Sequence, residues 1–247
     1  DNASLHSFNK LMRTVIGTNN VDFRTDYRML PKSADTAFEK LCRQPFKIAD
    51  IDDSDVIVSF GSDMVSEHPN EYLRVRKAYN FGQPRIYSIN PYSVKSSDIA
   101  DLEVLYSAGT DEMIVNAICL AAIEGGLVEQ ASGEALKGKL GMAGAAQACE
   151  QCGVELEDVK IIANALASGK KITLMLGEVI ARSYAREAIA AAVANLVKLF
   201  GLSERGQIAV LARYVNSVGA QRLGLVPYLS EATESEIKSL WGGLPEC

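Results

Sequence analysis

Short apolar runs alternate with amphipathic stretches along most of this chain. The run Val56–Phe60 (VIVSF) is nearly unbroken, rich in β-branched residues, and bounded by acidic residues and by Gly61. Such a run is typical of a strand buried on both faces of a parallel sheet. Pro69 then suits the first position of a helix. Strand, glycine turn and helix predict a loop at the carboxyl edge of a sheet, where open α/β sheets bind ligands. An ordinary βα connection without a ligand fits this stretch equally well.

The alternation continues through the rest of the sequence. Further strands are predicted at Arg85–Asn90, Leu102–Ala108, Ile172–Leu176 and Ile208–Ala212. Because helical patterns with short connections separate them, we expect right-handed βαβ units. The predicted fold class is α/β, with two Rossmann-like three-layer units whose sheets are mainly parallel. The boundary is placed in the alanine- and glycine-rich part between Leu127 and Gly153, giving units 1–150 and 151–247, the second one truncated.

Apolar residues also recur at helical spacing near the start of the chain. Leu5, Phe8, Leu11 or Met12, and Val15 are predicted to share the buried face of a first helix. Asn2 or Ser4 is its candidate N-cap and Gly17 its stop. Three arginines, Arg13, Arg24 and Arg28, lie in and after this helix. They belong either to a solvated loop or to a phosphate-binding site.

Composition narrows the class of protein. The 247 residues are 48% hydrophobic and 23% charged, as in a soluble globular protein. A net charge of −6 argues against nucleic-acid binding, which depends on neutralising phosphates. No apolar run approaches the roughly 20 residues of a membrane helix, and no signal peptide is visible. Five scattered cysteines indicate a reducing compartment, the cytoplasm.

Common catalytic and metal-binding motifs are not legible. Cys149 and Cys152 form a lone C-x-x-C, but zinc needs four ligands and a redox pair needs a thioredoxin-like context. Local packing of two helical cysteines is the expected outcome. His6 and His68 have no serine or cysteine partner at a telling spacing. Neither G-x-G-x-x-G nor a Walker A sequence is present.

Several stretches in the first half together resemble the molybdopterin-dependent oxidoreductases. They are KLMRTVIGTNNVD (Lys10–Asp22), IDDSDVIVSFGSDMVSEHP (Ile51–Pro69), IYSINP (Ile86–Pro91) and AGTDEMI (Ala108–Ile114). In that family they correspond to a GTNN helix end, a GSNP-type loop followed by HP, a DPR-type strand end and a PGTD turn. The second half is similar more loosely, through Leu174–Glu178 and Tyr214–Gly224. The resemblance implies two related α/β domains that clasp the nucleotide arms of the pterin.

The same resemblance implies a nucleotide cleft at the carboxyl edge of the sheet. Backbone N–H groups at the start of the helix after Thr110 could meet an anion, and Asp111 could accept from a base or ribose donor. The candidate cofactor-binding residues are Gly61, Ser62, Asn90, Gly109, Thr110 and Asp111. No catalytic residue and no metal ligand is assigned.

The departures from the family pattern weigh against a bound pterin. Metal-carrying members place cysteine, selenocysteine or serine soon after GTNN, whereas residues 22–28 here contain none, and Thr25 is a poor substitute. Asp63 and Met64 replace the Asn and Pro of the GSNP loop, and Asp63 would repel a pyrophosphate. Tyr92 replaces the arginine of DPR. In these losses the chain resembles the large iron–sulfur subunit of respiratory NADH:quinone oxidoreductase (complex I), which shares the GTNNVD-F-R-x-x-Y pattern.

We therefore expect a fragment of that subunit, a cofactor-free structural domain of the peripheral arm. Its cleft would be a vestigial, empty one, and its iron–sulfur clusters would lie in an N-terminal region outside this chain. Its partners would be that region, through residues Asn2–Ile16, and other subunits of the complex. It would reside on the cytoplasmic side of the inner membrane, without inserting into it and without binding nucleic acid.

Two other interpretations stay open. One is a fragment of a molybdenum or tungsten enzyme, formate dehydrogenase-like, that binds molybdopterin guanine dinucleotide. The other is a stand-alone nucleotide-binding module.

Overall fold

The computed structural model describes residues 1–23, 37–42, 44–211, 216, 219–220, 223–227, 229 and 231–242. The chain forms two compact units. One contains residues Asp1–Arg43 with Ala212–Cys247, and the other is the continuous segment Gln44–Leu211.

The described residues of the segment 44–211 build a five-stranded sheet in the order β3-β2-β1-β4-β5, with every pair of neighbours parallel. Val56 in the central strand lies opposite Arg85 on one side and Ile172 on the other. The strands are β1 Val56–Phe60, β2 Arg85–Asn90, β3 Leu102–Leu105, β4 Ile172–Leu176 and β5 Gly206–Val210. The predicted α/β class with a parallel sheet is confirmed.

The strand predicted to be buried on both faces, β1, is the central strand of the sheet, and β4 lies beside it. Every residue of β1 and β4 is buried. The expected boundary at residue 150 needs correction, however, because β1 and β4 pair directly within one sheet. A buried strand must pair its backbone N–H and C=O groups on both sides, and β4 supplies the second partner of β1 beside β2. The second half of the chain thus completes the sheet of the first half.

Helices connect and cover these strands. The four longest described ones, Pro69–Phe81, Asp111–Glu124, Leu156–Ser168 and Arg186–Leu199, each end directly before a glycine or one residue earlier, as the sequence pattern predicts. The helices are α1 Asn2–Lys10, α2 Ala37–Cys42, α3 Met64–Glu67, α4 Pro69–Phe81, α5 Asp111–Glu124, α6 Gln130–Leu140, α7 Ala145–Cys152, α8 Leu156–Ser168, α9 Glu178–Ala181, α10 Arg186–Leu199, α11 Leu202–Arg205 and α12 Glu231–Trp241, with 3-10 helices at Ile48–Asp53 and Lys95–Ile99.

The two faces of the sheet differ in polarity. One face packs against α5, α8 and α10 around an apolar cavity of about 20 Å³, lined by Val58, Phe60 and Ile114 among others. On the other face, Ile57 belongs to a cluster with Ile86, Met64 and Met175. Side chains alternate along a strand, so Ser59, Ser88 and Asn90 continue this second face toward its carboxyl end. Buried polar residues of β1 and β2 therefore lie at the carboxyl end of this face, while Thr173 lies at its amino end.

The two cysteines of the C-x-x-C pack locally, as predicted. Both are buried in α7, and the Cys152 thiol donates to the carbonyl oxygen of Cys149 at 3.5 Å. Burial raises the pKa of the Cys149 thiol to about 11, so this thiol is protonated at neutral pH.

In the unit 1–43 with 212–247, a buried arginine joins distant parts of the chain. Arg13 is 1% exposed. Its guanidinium donates to Asn9 Oδ1 at 2.9 Å, to Asn19 Oδ1, and to the carbonyl oxygens of Gly224 and Val226 at 3.0 and 2.7 Å. The expected loop or phosphate contact is wrong for Arg13, because its donors are used within the protein. Arg24, Thr25 and Arg28 lie outside the described residues.

The buried face of the first helix also differs from the prediction. Asp1 caps α1 by accepting from the Ser4 N–H at 2.8 Å, in place of Asn2 or Ser4, and the predicted stop at Gly17 is confirmed by a left-handed φ of 75°. Leu5 and Met12 pack inward. The apolar residues that the spacing assigned to the same face are exposed, namely Phe8 (48%), Leu11 (47%) and Val15 (74%).

The cause is the polar pair Asn9 and Arg13, one helical turn apart, which takes the buried face to satisfy carbonyl groups. The last turns, Leu11–Ile16, are a π-helix, which shifts the spacing further. The docking role expected for Asn2–Ile16 stays a prediction. No helix in the described part of the chain is long and apolar enough to cross a membrane.

Replacing Arg13 by leucine should destabilise its unit by about 3 kcal/mol or more, because several buried acceptors lose their donor at once. Urea unfolding followed by fluorescence measures this, since the single tryptophan of the chain, Trp241, contacts His6 in the same unit. Lys10→Leu, at an exposed position of α1 in the same unit, is the matched control and should change stability by less than about 0.5 kcal/mol. Equal effects of the two substitutions would contradict the role given to Arg13.

Candidate functional site

The strand order creates a topological switch point between β1 and β4. The chain continues from β1 to β2 on one side, while β4 and β5 lie on the other side. Open parallel sheets bind ligands in the crevice outside the carboxyl ends of two such strands. Here the crevice is bounded by the loop Gly61–Asp63 after β1 and by Gly177 and Glu178 after β4.

The two loops touch through their backbones. Gly177 N–H donates to the carbonyl oxygen of Phe60 at 2.8 Å, and Val179 N–H donates to that of Gly61 at 3.1 Å. A Cβ atom on Gly177 would lie 2.2 Å from Ser62 Cβ and 2.3 Å from the Gly61 carbonyl oxygen. Only glycine permits this approach, so Gly177 fixes the distance between the two loops.

The six candidate residues from the sequence lie along one edge of three neighbouring strands. Gly61 and Ser62 follow β1, Asn90 ends β2, and Gly109–Asp111 follow β3. The structure therefore places them together, and their role in binding stays a prediction.

Three of these six residues are less available to a ligand than the sequence suggests, because they are buried or hydrogen-bonded within the protein. Ser62 is fully buried and its hydroxyl donates to Glu67 Oε2 at 3.3 Å. Asp111 is 6% exposed and accepts from the Tyr106 hydroxyl at 2.6 Å. Burial of the Tyr106 phenol, and next the nearby Asp111 carboxylate, raise the pKa of that phenol. Thr110 does not cap α5 with its side chain, because its hydroxyl donates to the carbonyl oxygen of Ser107 at 2.6 Å.

Three carboxylates gather at the switch point, and sequence reasoning had singled out only Asp63. Glu67 ends α3 and Glu178 follows β4. Burial raises the pKa of Glu67, and so do the carboxylates of Glu178 and Asp63. The pKa of the neighbouring Tyr92 phenol is raised by burial and by the same three carboxylates. The pattern LMLGE, with an acidic residue directly after a strand and its glycine, was the signal available for Glu178.

Several buried acceptor atoms near these carboxylates have no partner. Within the part of the chain that the structure describes, Asp63 Oδ1, His68 Nε2 and Asn90 Oδ1 are buried and make no hydrogen bond. Ser59 Oγ, on the same face of the sheet, and Ser96 Oγ, in the 3-10 helix that contacts α3, are also buried without a hydrogen bond. Burial lowers the pKa of His68, against the opposing effects of Glu71 and Glu178. Buried polar atoms in native proteins are nearly always bonded, so this edge is built to meet a ligand or ordered water.

Comparison with known proteins connects this chain to one family. The family profile described as "Molybdopterin oxidoreductase" matches residues 1–241. The chain is 24% identical over 242 residues to the NADPH-Fe(3+) oxidoreductase subunit alpha of Geobacter sulfurreducens, which covers 92% of this chain and 28% of that protein. It is 32% identical over 110 residues to a nitrate reductase of Klebsiella oxytoca, covering 43% of this chain and 12% of the relative.

A third relative is the F420-dependent formate dehydrogenase 1 subunit alpha of Methanococcus maripaludis, 32% identical over 131 residues, which are 52% of this chain and 19% of that protein. Among solved structures, acetylene hydratase from Pelobacter acetylenicus matches with a TM-score of 0.59 at 14% identity, over 83% of this chain and 29% of that one. This likeness concerns the fold. The chain spans 12 to 28% of the lengths of these curated relatives.

Alanine at position 177 should be strongly destabilising, by about 3 kcal/mol, because its Cβ would overlap the backbone of the loop after β1. Gly138→Ala is the matched control: it lies inside α6, where an added Cβ meets nothing within 4 Å, and should stabilise by about 0.5–1 kcal/mol. Thermal and urea unfolding measure both. Tolerance of Gly177→Ala without loss of stability would show that the two loops are not held by this contact.

Replacing Glu67 by glutamine should stabilise the protein at pH 7, by no more than about 1 kcal/mol after solvent screening. The folded state holds Glu67 at a raised pKa, so ionising it above that pKa costs stability that glutamine does not lose. The difference should shrink as the pH falls toward the ordinary value of 4.5, where the wild-type residue gains its proton. Urea unfolding between pH 7 and pH 4.5 tests this, with Glu157→Gln, in an exposed ion pair with Lys160, as the control. A stability difference that grows on acidification would refute the repulsion.

Proposed function

Because the chain belongs to the molybdopterin oxidoreductase family, we propose that it is the nucleotide-holding α/β domain of a molybdenum or tungsten oxidoreductase. The observation that carries the proposal is the switch-point edge, where unpartnered buried acceptors collect beside the loops after β1 and β2. The likeness to a nitrate reductase and to a formate dehydrogenase subunit supports it.

The residues of this edge fit the guanosine end of a pterin guanine dinucleotide. A guanine base and a ribose offer N–H and O–H donors, and the edge offers acceptors, with Asn90 Oδ1 unpartnered and Asp111 a carboxylate. Gly109, which is exposed, and Thr110, which is partly exposed, leave backbone accessible at the start of α5. Asn90 and Asp111 would hold the base and ribose, and Tyr106 would orient the Asp111 carboxylate through its hydrogen bond.

The role proposed for this chain is positioning, not ligation of a metal. When bound, the cofactor supplies the metal that exchanges electrons with the substrate. Among the described residues, no group of three or more histidine, cysteine or acidic side chains is placed to hold a metal ion. Residues 24–28, where the family resemblance places the metal ligand, are outside them.

A second candidate is the cofactor-free structural domain of an NADH:quinone oxidoreductase-type complex. It is favoured by the carboxylates Asp63, Glu67 and Glu178, whose negative charge would repel the diphosphate of a nucleotide bound at this edge. The hydrogen bond from Tyr106 to Asp111 favours it as well, because it uses one acceptor oxygen of the carboxylate. Under this alternative the edge would hold water alone.

Binding of a guanine nucleotide separates the two candidates. The purified protein, titrated with GDP in magnesium-containing buffer by calorimetry, should form a complex that Asp111→Asn weakens at least tenfold, because one good hydrogen-bond acceptor to a base donor is lost. Asp98→Asn, exposed in the 3-10 helix Lys95–Ile99, is the matched control and should leave affinity unchanged.

Acid release followed by chromatography, with molybdenum and tungsten measured on the same sample, supplies the second readout. Guanine nucleotide and metal together in protein from a cofactor-producing host would support the first candidate. Their joint absence, with no GDP complex, would overturn it in favour of the cofactor-free domain.

A further inference from the structure

A hydrogen bond between two ring side chains joins α1 to α12. Trp241, the final residue of α12, donates its indole N–H to Nε2 of His6 on α1, and the two nitrogens lie 3.2 Å apart. The rings meet nearly edge to face, with their centroids 5.4 Å apart and an angle of 74° between their planes. Both side chains are half-buried and belong to the unit 1–43 with 212–247. The contact therefore links two segments of that unit that are 235 residues apart in the sequence.

This hydrogen bond is compatible with only one protonation state of His6. An indole N–H can only donate, so Nε2 of the imidazole must have a free lone pair and the ring proton must be on Nδ1. A protonated imidazole has two N–H donors and no acceptor. Its Nε2–H would point at the indole N–H of Trp241, and two donors that face each other repel. Uptake of a proton by His6 therefore breaks the contact.

The charged groups near the contact do not pair with the imidazole. On the two helices these groups are Asp1 with its α-amino group and Lys10 on α1, and Glu231, Glu234, Glu236 and Lys238 on α12. Lys238 pairs with Glu234 at 2.6 Å, and the Asp1 carboxylate accepts from the Ser4 N–H at 2.8 Å. The loop that packs beside α1 has no titratable side chain at its described positions 216, 219–220, 223–227 and 229. Because no described carboxylate pairs with His6, no ion pair would hold the protonated ring against Trp241.

We propose that His6 and Trp241 form a pH-sensitive latch, which is closed while His6 is neutral and opens when His6 gains a proton. A second attachment of α12 does not titrate. Ile237 is 6% exposed and packs against Gly224, where an added Cβ would lie 3.0 Å from Ile237 Cδ1. Opening of the latch therefore frees the last turn of α12 and leaves the rest of the helix packed. The contact stabilises its unit at high pH, and this contribution is lost as the pH falls.

The single tryptophan of the chain makes the latch directly measurable. The purified 247-residue protein is brought from about pH 8 to about pH 5, the range in which histidine gains its proton. In proton–nitrogen correlation spectra the indole N–H signal of Trp241 should shift, and its hydrogen should exchange faster with water, with the same midpoint as the His6 ring signals. Its fluorescence should move to longer wavelength at that midpoint, because the half-buried indole becomes exposed. The other histidine, His68, lies in the unit 44–211, which contains no tryptophan.

Substitutions at position 6 distinguish a latch from general sensitivity to acid. His6→Gln keeps a hydrogen-bond acceptor that does not titrate in this range, so the indole signal and the emission should stay at their high-pH values throughout. His6→Leu removes the acceptor, so the indole hydrogen should exchange fast at every pH. Lys10→Gln, at an exposed position one turn further along α1, is the matched control and should keep the pH dependence of the wild type. Circular dichroism and melting temperature at the high-pH end confirm that each variant is folded.

Three results would overturn the latch. They are an indole signal that does not change while the His6 ring titrates, a pH dependence that persists in His6→Gln, and spectra that place the proton of neutral His6 on Nε2. The first and the third come from the wild-type protein, so they decide the question even if a variant fails to fold. His6 and Trp241 lie outside the segment 44–211 that carries the switch-point edge. Failure of GDP binding therefore leaves the latch standing, and failure of the latch leaves the nucleotide-holding domain standing.

Discussion

The backbone contact between the loops after β1 and β4 is the constraint on which the candidate site depends. Two parallel strands that are neighbours in the sheet but distant in sequence must part at their carboxyl ends without leaving unpaired backbone groups. Gly177 meets this condition by pressing against Gly61 and Ser62 while its N–H extends the hydrogen bonding of the sheet. The crevice begins where this contact ends. Its first side chains, Asp63 and Glu178, are therefore fixed in position by the backbone.

The polar residues at this edge are tolerated because the other face of the sheet is dry and apolar. The face under α5, α8 and α10 is lined by aliphatic side chains and encloses a cavity too small for more than about one water molecule. Such a face holds the strands rigidly, so the opposite face can tolerate buried serine, asparagine and histidine atoms without partners. Each such atom costs about 1–3 kcal/mol when nothing meets it. A ligand or water that satisfies them would recover that energy, and for this reason unpartnered atoms are informative about function.

Local signals in the sequence predicted the elements well and their assembly less well. The β-branched run of β1 and the glycine at 17 act within a few residues, and the structure confirms both. Pairing of β1 with β4 is non-local, and the apolar composition of a buried strand does not specify which strand lies beside it. The prediction from sequence therefore placed the second half of the chain in a separate sheet. The meeting of Glu67 with Glu178 depends on that pairing and was invisible for the same reason. The buried face of the first helix was predicted wrongly because Arg13, a residue type that is normally exposed, occupies that face.

The motifs that carry the family resemblance divide into two physical kinds. In the GTNN segment, Asn19 accepts from the buried Arg13, and the Thr18 hydroxyl accepts from the Asn20 N–H at 3.1 Å. These contacts hold the backbone, so their presence follows from the fold and says nothing about a cofactor. At position 63 the side chain lies at the candidate site, where an aspartate changes the local charge without changing the fold. Different residues thus decide whether the chain belongs to the family and whether its cleft holds a ligand. The content of the cleft depends on the charges beside Glu67.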